Sequence, residues 1–355
     1  MSEGRARRFG CLQVVIEAIC LAYVLALCIY GVLRFIVQDG WWPVALLNSF
    51  VILLFLPAPL LIVLALLIRS RRASFSLLLI LVIAFVSFGL PSLPKNTPAV
   101  NGPSLRVMTL NILRLNPVPE RILALVEQQQ PDIIFLQEIE RDSTQEATLQ
   151  ALQDSYPFQA VLADEMRLQH YTAINLTASR YPFTLSEPVP VGAPGMPLLS
   201  RQVIDFNGTS IALYNIHLVA PVGSRPLTQL GDNYFVRVFL GYDDRQRNQQ
   251  MEALLAHLET EDMPFIVAGD FNTSATSMTY VTKLARELRD SFAEAGQGLG
   301  TTWPVATTLG FPRFLPPLIR MDYIFHSPEL TTMQAWMGGS VGSDHLPVLA
   351  DLILR

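Results

Sequence analysis

Apolar positions follow two regimes along the chain. Residues 12–37, 44–68 and 73–90 are three long apolar runs, whereas from residue 105 onward the apolar positions come in short bursts between polar turns. About 20 apolar residues cross a bilayer core as a helix, so each run is expected to be a transmembrane helix. A cleaved signal peptide has one apolar stretch of roughly 7–15 residues, and three longer ones predict retained spans. The stretch 91–104 (PSLPKNTPAVNGPS) has four prolines and no hydrophobic period, and it reads as an extended linker. The expected layout is a membrane region over 1–90, a linker over 91–104 and a folded domain over 105–355.

Within that domain, 105–112 (LRVMTLNI), 132–139 (DIIFLQEI), 209–218 (TSIALYNIHL), 264–271 (PFIVAGDF), 321–327 (MDYIFHS) and 346–354 (LPVLADLIL) have strand length and β-branched or apolar content. Residues 119–130 and 244–260 place apolar side chains at helical spacing. Strands alternating with helices predict an α/β domain, and the sequence contains no internal repeat.

Charge adds an orientation. Arg5, Arg7 and Arg8 precede the first run, Arg69, Arg71 and Arg72 separate the second from the third, and the loop at 38–43 has no basic residue. The positive-inside rule then predicts a cytoplasmic N-terminus. Three crossings would place the large domain outside the cytoplasm, in an integral membrane protein of the inner or plasma membrane. Trp41 and Trp42 suit an interfacial belt, and Glu17 lies within the first run near its predicted cytoplasmic end. Residues 101–355 carry 17 Lys+Arg against 27 Asp+Glu, a net charge of −10. Such a surface weighs against a general nuclease, because nonspecific nucleic-acid binding rests on cations that neutralise phosphates. Cys11, Cys20 and Cys28 all lie in the membrane region, so the large domain depends on its core rather than on disulfides.

Several strands end in polar residues that packing does not explain: Asn111, Glu138, His217, Asp270 with Asn272, Asp322, and Asp344 with His345. Polar ends of adjacent strands converge on one rim of a sheet, where a pocket can form. Asn, Glu and Asp offer the hard oxygen donors that Mg²⁺ accepts, with Mn²⁺ as a substitute. Histidines beside such an ion suit acid–base work. The chain has no zinc spacing and no P-loop, and neither Ser179 nor Ser343 sits in a nucleophile elbow. The chemistry indicated is metal-assisted hydrolysis at phosphorus.

MTLNIL, FLQEIE, NIHL, GDFN, MDYIF and GSDHLPV, in this order, resemble the blocks of the endonuclease/exonuclease/phosphatase superfamily, the deoxyribonuclease-like hydrolases. The resemblance covers about 105–355. It implies a four-layer αββα sandwich of two packed mixed sheets, with the active site at one end. By the same resemblance Glu138 would be the principal metal ligand, assisted by Asn111 and Asp344. Asp270 would activate the attacking water, and Asn272 would hold it or the phosphate. His345, held by Asp322, would stabilise the transition state, and His217 would touch the scissile phosphate.

One segment departs from the family pattern. In YTAINLTASRYPF (171–183) Ser179, Arg180 and Tyr181 stand where the family has a Ser-Arg pair, with Arg180 a candidate substrate contact, but Asn175 and Thr177 intrude and either line the pocket or, the reading slightly favoured, face water. The connections 219–242 and 301–320 carry Phe235, Phe239, Trp303, Phe311, Phe314, Arg313 and Arg320, and either complete the core or rim the site. As a rim they would make an apolar mouth in which Arg313 and Arg320 fork onto phosphate, suited to a lipid-linked phosphodiester or phosphomonoester at the bilayer surface. The alternatives are a tethered metal-dependent nuclease and a non-catalytic module that binds phospholipid or a partner.

Overall fold

Residues Ser2–Val37 form one continuous helix, α1, whose Cys11–Val37 portion is long and apolar enough to cross a membrane. The computed structural model describes residues 2–89, 93, 95, 102–113, 116, 120–140, 150–166, 171–191, 198–221, 241–305 and 316–355, and the chain divides into the units Met1–Leu93 and Pro94–Arg355.

In the first unit the second apolar run, expected as one transmembrane helix, is not continuous. It is broken into α2 (Trp42–Ser49), α3 (Val51–Leu54) and α4 (Ala58–Leu67), with a bend of 85° between Trp42–Ser49 and Val51–Leu67. The break sits at Phe50 (φ −114°, ψ 25°). Beside it the Ser49 hydroxyl bonds back to the Ala45 carbonyl, and the Asn48 amide is drawn to the Gln38 carbonyl and the Asp39 carboxylate. Such side-chain bonds compete with the helix ladder. The third run holds α5 (Arg71–Ala84) and a π-helical turn through Gly89, 19 residues that again suffice to cross a membrane. Among the described residues two helices therefore meet the length and composition of a span, or three if the bent pair is one crossing. Along α1, Gln13, Cys20, Tyr23 and Tyr30 bond to Ile68, Leu61, Leu54 and Asn48, so the broken segment runs antiparallel beside it. Glu17 accepts from the Ser70 hydroxyl, which in turn caps α5 at the Ala73 N–H.

The second unit is built on two six-stranded mixed sheets. The first contains β1 (Ser104–Asn111), β2 (Ile133–Glu140), β3 (Phe158–Met166), β4 (Tyr171–Ser179), β11 (Leu330–Met337) and β12 (Val348–Leu354), in the order β11-β12-β1-β2-β4-β3. The second contains β5 (Phe183–Pro190), β6 (Leu198–Phe206), β7 (Thr209–His217), β8 (Phe265–Asp270), β9 (Arg289–Asp290) and β10 (Asp322–His326), in the order β5-β6-β7-β8-β10-β9. Each sheet has one central parallel pair, β1/β2 or β7/β8, flanked by antiparallel strands. The same topology thus occurs twice without any repeat in sequence.

Period-two alternation makes the layers. Leu105, Val107, Ile133 and Phe135 pack against Ile211, Leu213, Ile266 and Ile324 between the sheets. On the outer face of the first sheet, Met108, Leu110, Ile134 and Leu136 meet Ile122, Leu125 and Val126 of α6 (Glu120–Gln129). On the outer face of the second, Tyr214, Val267 and Phe325 meet Met251, Leu254, Leu255 and Leu258 of α7 (Arg245–Leu258). Each such side chain contributes about 1.5–3 kcal/mol when fully buried. Helix, sheet, sheet, helix is the αββα sandwich expected above.

Candidate active site

The inward-facing columns of both sheets turn from apolar to polar toward one end. β1 runs Leu105, Val107, Thr109, Asn111, and β7 runs Ile211, Leu213, Asn215, His217. β8 runs Ile266, Ala268, Asp270, and antiparallel β10 begins at Asp322, which pairs with Asp270 in register. His217 pairs with Asp270 on the other side. Below this rim a polar layer joins the sheets: Gln137 donates to the Asn215 side-chain oxygen at 2.8 Å, and the Asn215 amide donates to the Leu136 and Leu176 carbonyls.

Two local distortions aim the side chains. Strict alternation would turn Glu138 toward α6, because Leu136 packs there. A bulge between Leu136 and Ile139, with Glu138 at φ 59°, turns its carboxylate inward instead. At Gly269 (φ 148°) a Cβ would come within 1.8 Å of the Ile216 carbonyl oxygen, so only glycine lets β8 lie this close to β7.

The gathered groups form one hydrogen-bonded cluster. The Asn111 amide donates to Glu138 and to Asp270, both at 3.1 Å, and His217 Nε2 lies 3.5 Å from Glu138. His345 Nδ1 is 2.8 Å from Asp322 Oδ2, and its Nε2 is 3.8 Å from Asp270 Oδ2. The Asn272 N–H donates to Asp270 at 2.8 Å. The Trp303 indole N–H donates to Asp344 at 3.2 Å. Ser343 ties the two sides of the site, donating to the Asn111 carbonyl at 2.6 Å and accepting from the His345 N–H at 3.0 Å.

Burial and mutual charge set the proton affinities. Burial pushes the Asp270 carboxyl up to about 6, assisted by the Asp322 charge and opposed by His345 and His217. For His345, burial disfavours the charged ring, but Asp322, Asp270 and Asp344 outweigh it and hold the imidazole well above its ordinary range. Burial also raises Asp344; His345 opposes this rise and the Glu138 charge adds to it. Asp270, Asp322 and His345 bring one ligand-type atom each to within 4.8 Å of one another, a candidate metal-binding group. Glu138 and Asp344 add carboxylate oxygens at the same rim, while the Asn111 side-chain oxygen accepts from the Leu113 N–H and its amide nitrogen faces the carboxylates. Mutually repelling carboxylates fit a hard divalent cation.

Of the arginines expected to hold substrate, Arg180 and Arg320 are not gathered here. Arg180 follows the end of β4, which pairs with the start of β2 at the opposite end of the sheet; there it bonds Gln130, lies 3.7 Å from Asp132 and stacks over Tyr156. Arg320 is buried, pairs with Asp290 at 2.6 Å and lies over the rings of Tyr280, Phe292 and Tyr323, so its guanidinium is spent on the fold. Arg313 lies outside the described residues, as do Phe235, Phe239, Phe311 and Phe314. Asn175 and Thr177 do not face water: both are buried, and Thr177 Oγ1 accepts from Asn215 in the polar layer between the sheets. Trp303, expected either in the core or at the mouth, is buried against Asp344. The bond from Ser343 to Asn111 was not foreseen; its one signal was a serine directly before Asp344 and His345.

Comparison with known proteins accords with this geometry. Residues 108–345 match the Endonuclease/Exonuclease/phosphatase family, and the chain belongs to that family. Among solved structures it is similar to an endonuclease/exonuclease/phosphatase from Beutenbergia cavernae DSM 12333, at 24% identity and TM-score 0.50 over 71% of this chain and 72% of that one. It is also similar to one from Bacteroides vulgatus, at 18% identity and TM-score 0.53 over 71% of this chain and 100% of that one. A third is D. rerio TDP2 complexed with single strand DNA product, at 18% identity and TM-score 0.51 over 70% of this chain and 98% of that one. At these identities the likeness is one of fold. No curated protein matches the chain.

Proposed function

We propose that this protein is a membrane-tethered, divalent-metal-dependent hydrolase of phosphodiesters, acting on nucleic acid. The observation that carries the hydrolase reading is the convergence of Asn111, Glu138, His217, Asp270, Asp322 and His345 on one rim from six separate segments. Mg²⁺, with Mn²⁺ as a substitute, would be held by Glu138, Asn111 and Asp344 and would supply charge neutralisation at a phosphoryl oxygen. Asp270, raised to about 6, is poised to take a proton from water near neutral pH, and Asn272 helps to hold the water or the phosphate. Protonated His345, oriented by Asp322, presents a charged donor where negative charge grows on phosphorus. His217 completes the cradle beside Glu138. Water oxygen bonds to phosphorus, its proton passes to Asp270, the ester P–O bond breaks, and the departing oxygen takes up a proton.

The nucleic-acid reading draws on the D. rerio structure, in which this fold holds a single strand DNA product. With a net charge of −10 over residues 101–355, few phosphates would be engaged at once, and binding would depend weakly on salt. A second reading, a lipid-linked phosphate ester at the bilayer surface, is favoured by the apolar helices of the first unit. For that unit we propose three crossings with the N-terminus cytoplasmic and the large unit on the other face. From Gln13 to Tyr30, α1 rises about 26 Å beside the broken segment, most of a bilayer core, which supports a single bent crossing over a re-entrant loop.

The test is a panel of single- and double-stranded DNA, phospholipids and isoprenoid phosphates, incubated with the detergent-solubilised chain and Mg²⁺ alongside Glu138→Ala. Nucleotide release lost in the variant is the expected result. Lipid turnover without nucleotide release would establish the second reading, and no hydrolysis of any ester would sink both.

A further inference from the structure

Helix α7 carries two polar side chains on the stripe that otherwise buries Met251, Leu254, Leu255 and Leu258. Arg247 is 1% exposed and Gln250 is fully buried, and at a spacing of three residues they share one helix face. Arg247 Nη1 donates to the Asn272 carbonyl at 2.7 Å, while Nη2 pairs with Asp244 at 3.0 Å. Gln250 Oε1 accepts from the Val219 backbone N–H at 2.9 Å, and its Nε2 has no partner among the described residues. Burying a guanidinium and a half-satisfied amide is unfavourable, and apolar side chains of similar volume generally pack such positions at least as well. Packing therefore does not account for this pair.

What the two side chains hold are the loops leaving β7 and β8, directly after His217 and Asp270. Those loops also hold each other, the Leu218 N–H donating to the Asp270 carbonyl at 3.0 Å and the Asn272 amide to the Leu218 carbonyl at 2.8 Å. Asn272 sits at φ 48°, a left-handed conformation that a residue other than glycine keeps when its surroundings impose it.

We propose that Arg247 and Gln250 are positioning residues, a two-point clamp that fixes His217 relative to Asp270 and Asn272 across the β7/β8 pair. Its effect on rate rests on the hydrolase reading above; its effect on the loops does not. The rate test compares Arg247→Met, Arg247→Lys and Gln250→Leu in the full chain, with Mg²⁺ and a chromogenic phosphodiester. A loop displaced by a fraction of an ångström to an ångström costs up to about 100-fold, so the Met and Leu variants are expected to lose about 10- to 100-fold in kcat with KM little changed. Arg247→Lys keeps one donor for the Asn272 carbonyl and is expected to recover most of that loss.

Hydrogen exchange on the same proteins is expected to quicken over 217–220 and 270–273 in the Met and Leu variants, with the remaining strands protected as in wild type. Wild-type kcat together with wild-type exchange in those segments would overturn the clamp. Should wild type hydrolyse nothing, the hydrolase reading falls and exchange alone decides the clamp. Should Arg247→Met fail to fold, Gln250→Leu decides it, and unchanged protection over 217–220 would overturn the proposal.

Discussion

At the site end the two sheets finish differently although their topology is the same. The parallel pair of the first sheet ends in Asn111 and Glu138, with the Glu138 side chain 21% exposed, whereas the second sheet ends in His217, Asp270 and Asp322, each no more than 2% exposed. The Glu138 carboxylate thus stands where a hydrated ion and a substrate can arrive, while Asn111 beside it is buried. The groups suited to moving protons stand where water is excluded and charges act strongly on one another. Burial raises the proton affinity of Asp270, whereas that of His345 is raised by the surrounding carboxylates against the opposing effect of burial. One topology used twice yields a wet edge and a dry edge, and a site forms where they meet.

The sharpest way to break this contrast is on the dry side. Asp270→Asn is expected to lower kcat by about 10³- to 10⁴-fold. Folding should survive, because the variant removes a buried carboxylate that binds its proton more tightly in the folded chain than in the unfolded one. Rate assays and a thermal melt on the same sample check both halves. On the wet side, Glu138→Gln is expected to act through the cation, raising the Mg²⁺ concentration for half-maximal rate about 10- to 100-fold. Excess Mg²⁺ should then restore part of the rate, which it should not do for Asp270→Asn; equal rescue of both variants would erase the distinction.

Away from the site, the second sheet carries a buried network in which Arg201 pairs with Glu261 at 2.8 Å and the Tyr214 hydroxyl donates to Glu261 at 2.6 Å. Burial alone would raise the Glu261 carboxyl, but Tyr214, Arg201 and the Met263 N–H together hold it below its ordinary value of 4.5. A lowered carboxyl contributes stability that is full above the unfolded value and disappears as pH falls through the folded one. Glu261→Gln is therefore expected to destabilise the protein at pH 7, by an amount that shrinks progressively as pH falls below the ordinary carboxylate value of 4.5, as read by urea unfolding along that series. Arg180→Ala marks the small end of the scale. Its ion pair is partly exposed and lies at the opposite end of the sheet, so it should leave KM unchanged and cost at most about 1 kcal/mol of stability.

Much of the fold was legible because strand alternation and helical spacing are local. The six blocks from MTLNIL to GSDHLPV marked β1, β2, β7, β8, β10 and the approach to β12, and the polar residues closing them are the ones the fold brings together. Arg320 read as a phosphate contact because a lone arginine in a connecting segment looks free, and Arg180 because it stands where the family has a Ser-Arg pair; only the fold supplied Asp132, Asp290 and the rings that engage them. Asn175 and Thr177 read as water-facing because they are polar; a polar layer between the sheets buries them. The bend within 42–67 was hidden because hydropathy measures apolar length, and a side-chain bond to the backbone leaves that length unchanged.

Composition and order along the chain determined that this protein has an apolar N-terminal region, a domain of alternating strands and helices and a set of acids, amides and histidines at strand ends, since each of these depends on neighbours in sequence. The tertiary structure alone decided which polar groups meet, which are buried enough to shift their protons, and which cations are already engaged. Those outcomes depend on distances between residues far apart in the chain, and local pattern carries no record of them.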